Sequence, residues 1–296
     1  MNGLYAVPPP SCAQPVRAPQ RWLAVGAAGV EESATFLRRR GRRRTPARAQ
    51  AEYQQRWTSQ GRGTSWLAVT DLQRAVRYSS YGEHRLSAML EFGAWSLDAP
   101  DFFAWRAEKI AAVVGAHADR DDQIVELGCG MGKNLIALAH HGFTRLSGLD
   151  PAPAAVTGAA QRLNTLGVPA EIRQGSVLDA ASMTPLAEGA SVFTNYVMEQ
   201  LPDDIEAAAR TIASCGPRQV LHIEPCCDRL PGRRRWERWP SVWHVRACDY
   251  QRSLLQVLHR LEAEGRVRLL EITPLGFSPE MFHSPVLIRW EPVHDR

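Results

Sequence analysis

An apolar strand ends in an acid and runs straight into three alternating glycines: Ile124-Val125-Glu126-Leu127-Gly128-Cys129-Gly130-Met131-Gly132. No other stretch limits so tightly what this chain can fold into. Lys133 and Asn134 open a helical pattern that continues through Leu135-Ile136-Ala137-Leu138-Ala139. Glycines at that spacing let the backbone turn sharply, and with no Cβ in the way a bulky ligand can lie against bare peptide groups. A second apolar strand, Leu146-Ser147-Gly148-Leu149, ends in Asp150. A glycine turn followed by an acid at the next strand end is how a doubly wound α/β fold holds an adenosine, the carboxylate accepting from ribose hydroxyls.

The downstream pattern supports that fold. Apolar runs at 124–127, 145–150, 171–174, 190–196 and 220–224 alternate with helical patterns at 134–141, 152–166 and 205–213, which calls for a parallel sheet covered on both faces. A long helix is expected over 246–264, then two strands at 267–275 and 286–290 as a final hairpin. The sum is a seven-stranded, mostly parallel, doubly wound sheet over residues 119–296. Ahead of it, residues 47–118 read as an N-terminal helical cap, with helices at 47–57, 65–78 and 83–95 and one capped by Asp101 over 102–116. Residues 1–46, rich in proline and arginine, read as a disordered leader.

The first 50 residues hold nine arginines against Glu31 and Glu32, so the overall charge of +4 belongs to this tail and the remaining body is slightly acidic. A run such as Arg38-Arg39-Arg40-Gly41-Arg42-Arg43-Arg44 could bind phosphates, but an acidic body makes a nucleic-acid partner the weaker expectation. No apolar stretch is long enough to span a membrane, and no secretory signal pattern is present, so a cytoplasmic protein is expected. The six cysteines are scattered and supply no paired metal-ligand spacing. No metal is expected.

The spacing E-x-G-x-G-x-G departs from the G-x-G-x-x-G of dinucleotide enzymes. Over residues 123–225 the chain resembles the class I S-adenosylmethionine-dependent methyltransferases. The resemblance implies that Glu126 supports the loop and that Gly128, Cys129, Gly130, Gly132 and Asn134 surround the methionine part of the cofactor. It places Asp150 and Pro151 at the ribose, with Ser176 and Val177 beside adenine. The family often has an acid where Ser176 stands, and Asp179 can instead support that loop. At the fourth strand end, Asn195-Tyr196-Val197-Met198-Glu199-Gln200-Leu201-Pro202 lacks the N-P-P-Y signature of base-amine enzymes. It is similar to a small-molecule group in which a histidine pair precedes Leu-Pro, here replaced by Glu199 and Gln200.

Glu199 is therefore the candidate base, with Asn195 and Tyr196 beside the cofactor's amino end or the acceptor. Glu224 sits at a neighbouring strand end. Helices ahead of the first strand form a lid in relatives of this kind, which makes Tyr78, Tyr81 and Trp95 candidate site aromatics. The arginine- and tryptophan-rich segment 228–243 and the residues Asp249-Tyr250-Gln251-Arg252 are further candidates for acceptor contact.

The expected activity is N- or O-methylation of a small molecule with S-adenosylmethionine as cofactor. Three alternatives stand beside it. The first is an enzyme that cyclises or cleaves the cofactor and releases methylthioadenosine, as azetidine-2-carboxylate synthases do. The others are an RNA methyltransferase and a non-catalytic cofactor-binding module.

Overall fold

The computed structural model describes residues 5–39, 43–61, 71, 75, 84–226, 239–279 and 282–293. The N-terminal part holds strand β1 (Gln14–Pro15), helices α1 (Ala18–Arg39) and α2 (Pro46–Gly61), strands β2 (Arg85–Leu90) and β3 (Gly93–Asp98), and helix α3 (Ala99–Gly115). Beyond it come β4 (Gln123–Leu127), α4 (Lys133–His140), β5 (Arg145–Asp150), α5 (Pro153–Thr165), β6 (Ala170–Gln174), α6 (Ala180–Ala187), β7 (Ser191–Asn195), α7 (Ile205–Ser214) and β8 (Gln219–Pro225). The chain closes with α8 (Trp239–Cys248), α9 (Leu254–Ala263), β9 (Val267–Pro274) and β10 (Pro285–Pro292).

Seven strands form one sheet in the order β6-β5-β4-β7-β8-β10-β9. The first five are parallel, and β10 inserts antiparallel between β8 and β9. Two apolar layers cover the sheet. On one face α3, α4 and α5 bury Phe102, Ile110, Val113, Leu135 and Leu163. On the other, α6, α7 and α9 bury Met183, Ile205, Ile212, Leu258 and Leu261. Because the strand order reverses between β4 and β7, the crevice at their carboxyl ends is left open for a ligand.

Four expectations outside the central sheet need correcting. The segment 83–95 is not a helix. Leu86, Met89, Leu90 and Ala94 sit at helical spacing, but β2 and β3 pair as a tight hairpin, Leu90 opposite Gly93, and β1 adds to it as a third strand. Its turn residues Glu91 and Phe92 both take positive φ (47° and 64°) without the usual glycine or asparagine. Tertiary contacts hold them there: Glu91 Oε1 accepts from the buried Lys109 Nζ at 2.5 Å and from the Val7 amide at 3.1 Å. Phe92 N donates to the Gly276 carbonyl.

The leader is not structureless. Within 1–46, α1 packs along α8, with Phe36 against Trp243 (ring centroids 4.8 Å apart) and Glu32 3.1 Å from His244 Nδ1. The single helix expected over 246–264 is two helices. Asp249, at φ 51°, breaks them, and the Gln251 side-chain oxygen accepts from the Ser253 and Leu254 amides to start the second. Asp101 lies inside the first turn of α3 instead of capping it; Asp98 holds the cap position. The expected helix at 65–78 lies outside the described residues, apart from Asp71 and Ala75.

Candidate active site

The carboxyl ends of β4, β5, β6 and β7 open into one cavity of about 590 Å³, a size suited to a small-molecule ligand. Gly128 enters the turn at φ 74°, and a Cβ there would lie 2.3 Å from Val197 Cγ2. Only glycine lets the loop pass that close to the β7 end. Gly130, at φ 51°, faces the Trp57 indole of α2, which would be 3.1 Å from an added Cβ. Gly132 differs from expectation: it does not line the cavity but turns the chain into α4 against Leu163 and Ala159. The other expected cofactor residues, Glu126, Gly128, Cys129, Gly130, Asn134, Asp150, Pro151, Ser176, Val177 and Asn195, all line it.

Their hydrogen bonds separate support from contact. Asp150 accepts from the Gly130 and Ala152 amides, 2.9 Å each, and so ties the glycine loop to the end of β5. Asn134 Nδ2 donates to Glu126 Oε1 at 2.6 Å, which makes Asn134 an orienting residue for that carboxylate. Burial pushes the Glu126 carboxyl up to about 8. Asp179 caps α6, its Oδ1 accepting from the Ala181 amide, and is absent from the cavity wall. Ser176 Oγ accepts from the Leu178 amide, which shapes the loop after β6.

The residues after β7 are arranged around two buried carboxylates. Glu224, fully buried on β8, accepts from the Val197 amide at 2.8 Å and the Glu199 amide at 3.4 Å. It is an anchor for the loop, and it does not line the cavity. Glu224→Gln would turn an amide NH₂ toward donors that need an acceptor, so a stability loss of roughly 1–3 kcal/mol is expected in urea denaturation. Tyr196 sits at φ 58°, a strained position for a large side chain. Its hydroxyl donates to the His283 carbonyl at 3.2 Å.

Glu199 is not a helix cap. Its Oε2 lies 2.9 Å from His283 Nε2, and its Oε1 accepts from Gln200 Nε2 at 2.6 Å. Desolvation raises its carboxyl, while the nearby His244 and Arg44 pull it back down. Glu224 is likewise raised, by burial and by the charge of Glu199.

Several lining residues carry no signal in the sequence. His283 comes from the β9–β10 connection, 84 positions from Glu199. It stacks with Tyr250 (centroids 5.8 Å) and meets His244 at 4.7 Å. Helix α2 supplies Tyr53 and Trp57, and α3 supplies Phe103 and Arg106. Aromatics ahead of the first sheet strand thus line the cavity at Tyr53, Trp57 and Phe103. Trp95 packs on the hairpin with its indole donating to the Leu90 carbonyl, and Tyr78 and Tyr81 lie outside the described residues. Of the segment 228–243, residues 228–238 also lie outside them. Of the 249–252 group, Tyr250 reaches the cavity, whereas Gln251 stitches Glu199 and Pro225 together.

Residues 124–216 match the sequence model of a family described as a methyltransferase domain. The match takes in β4 through α7, less than half of the chain. A search of curated proteins finds no match.

Among solved structures, the domain is similar to magnesium protoporphyrin IX methyltransferase from Synechocystis PCC 6803 with bound S-adenosylmethionine. The two share 15% identity over 63% of this chain and 78% of that one, with a TM-score of 0.46. It is also similar to geranyl diphosphate C-methyltransferase from Streptomyces coelicolor A3(2), at 17% identity over 63% and 84% of the two chains and a TM-score of 0.45. An O-methyltransferase from neocarzinostatin biosynthesis shares 20% identity over 64% and 57%, with a TM-score of 0.44.

The cavity wall leaves two buried acceptors for a cationic ligand such as S-adenosylmethionine. Glu126 Oε2 and Asn195 Oδ1 are buried acceptors that no donor among the described residues reaches, and both side chains stand at strand ends lining the cavity. An ammonium group is the kind of ligand such acceptors satisfy. No helix among the described residues is long and apolar enough to cross a membrane.

Proposed function

We propose that this chain transfers a methyl group from S-adenosylmethionine to an oxygen or nitrogen of a small molecule. The observation that carries the reading is the buried Glu199–His283 pair, 2.9 Å apart, in the same cavity as the glycine loop and Asp150. In this reading Asp150 holds the ribose hydroxyls, Ser176 and Val177 flank adenine, Gly128 and Gly130 lie along the methionyl chain, and Glu126 with Asn195 receive its ammonium group. When bound, the cofactor supplies an electrophilic methyl on a sulfonium.

The chain's own residues do the rest. Tyr196, Tyr250 and His283 frame the acceptor, and α2 closes the cavity through Gln50 Nε2 to the Pro151 carbonyl (2.8 Å) and the Ala154 amide to Gln54 Oε1 (3.0 Å). Closure of this kind excludes water and fixes the acceptor in line with the methyl. The acceptor atom must shed a proton as its bond to carbon forms. That proton passes to Glu199 Oε2, where His283 Nε2 shares it.

A small acceptor also agrees with what the arginine run does. Arg44 turns inward, its amide donating to Asp249 and its guanidinium lying over the Tyr250 ring. Arg43 pairs with Asp203 at 3.2 Å.

The test is the product. The full chain is incubated with S-adenosylmethionine, with and without a dialysable small-molecule extract, and analysed by mass spectrometry. S-adenosylhomocysteine that rises with the extract is the expected result. Methylthioadenosine from cofactor alone would replace methyl transfer with a cyclising or cleaving activity.

A further inference from the structure

Arg106, on α3, lies near two rings, with its guanidinium carbon 5.0 Å from the Phe103 centroid and 5.7 Å from that of Tyr196. It lines the cavity. Among the described residues it has no ion pair and no hydrogen bond; it meets the two rings, and its charge acts at longer range on Glu126 and Glu199. A guanidinium beside two aromatic rings, with its donors unspent, is available to a planar bidentate anion.

The cavity's own carboxylates do not fill that role. Glu126 is held by Asn134, Asp150 by two backbone amides, and Glu199 by His283 and Gln200.

The charge of the whole cavity points the same way. Lys133, Arg56 and Arg162 line it together with Arg106, against the three carboxylates just named. Burial and the neighbouring Arg106 and Arg162 push the Lys133 ammonium down. Even with Lys133 neutral and every carboxylate ionised, the side chains of the described lining residues balance. S-adenosylmethionine itself carries a net single positive charge, from sulfonium, ammonium and carboxylate. The loaded cavity is therefore cationic, and a cationic pocket favours an anionic second ligand.

Position decides which end of that ligand lies here. Arg106 lies 5.7 Å from the Tyr196 ring, and the His283 ring lies 6.0 Å from the same ring, so Tyr196 links the two groups. We propose that the acceptor is a carboxylic acid, its carboxylate gripped by Arg106 while its hydroxyl or amine reaches the Glu199–His283 pair. This rests on the methyl-transfer reading of the cavity.

The experiment uses the full chain preloaded with S-adenosylhomocysteine. Ligand-observed NMR titrations compare hydroxy and amino carboxylic acids, aromatic and aliphatic, each with its primary amide. The expected result is at least one acid that binds about tenfold or more tighter than its amide. That preference should be lost in R106Q and partly retained in R106K, with folding checked by circular dichroism. Overturning results are that no acid exceeds its amide, or that R106Q leaves the preference intact. A third is a loss in R106Q of about tenfold or more in affinity for S-adenosylmethionine but not for decarboxylated S-adenosylmethionine, which would assign Arg106 to the cofactor's carboxylate. Methylthioadenosine as the product would sink the methyl-transfer reading instead, whatever R106Q does to acid binding.

Discussion

Asp150→Ala should weaken S-adenosylmethionine binding by about 10²–10³-fold, read by calorimetry at fixed salt. Two losses add in this variant. In the proposed reading the carboxylate accepts from the ribose hydroxyls, and a charged acceptor is worth more than a neutral one. It also holds the Gly130 and Ala152 amides at 2.9 Å each, so its removal leaves the glycine loop without its tie to β5. Asp150→Asn keeps one carbonyl acceptor but offers an NH₂ where the second amide needs an oxygen, and a smaller loss of about tenfold is expected. The two variants should differ in melting temperature as well, because both amides are buried. Unchanged affinity in Asp150→Ala would remove Asp150 from the cofactor site and leave it as a loop support only.

How much of this was legible in the sequence depended on how local each signal is. The glycine loop, Asp150 and the strand alternation are local patterns, and they point to the sheet and to much of one wall of the cavity. Gly132 was grouped with its neighbours because spacing says nothing about which way a loop residue faces. The β2–β3 hairpin was misread because its turn is held by Lys109 and Gly276 from outside, while its apolar residues also satisfy a helical period. The break between α8 and α9 rests on Asp249 at positive φ and on the Gln251 side chain, and no proline or glycine marks it.

The acceptor end was harder still. Glu199 was singled out because it stands where the family has histidine. Its partner His283 arrives from the far end of the chain, and only the antiparallel insertion of β10 beside β8 brings it across. Arg106 and Trp57 sit on helices whose polar residues read as an ordinary solvated face.

The second large effect concerns that pair. Glu199→Gln preserves size and one acceptor but cannot take a proton, so kcat should fall by about 10²–10⁴-fold, the usual scale for a lost general base. Affinity for S-adenosylmethionine should stay within a few-fold, because Glu199 lies beyond the residues assigned to the cofactor. The pH profile separates a base from a structural residue. Burial lifts the Glu199 carboxyl to about 8, so at lower pH most of the protein carries it protonated and unable to accept. The wild-type rate should rise with pH and level off above that value, with the apparent midpoint belonging to the Glu199–His283 pair and not to either residue alone. In Glu199→Gln the slow residual rate should lose that limb.

His283→Asn removes the imidazole that shares the proton and should shift the limb along the pH axis as well as lower kcat. A destabilised but otherwise intact site would lower the rate at every pH equally. A wild-type profile that survives Glu199→Gln in shape would place the base elsewhere in the cavity, with His244 and Tyr250 the next groups in contact with His283.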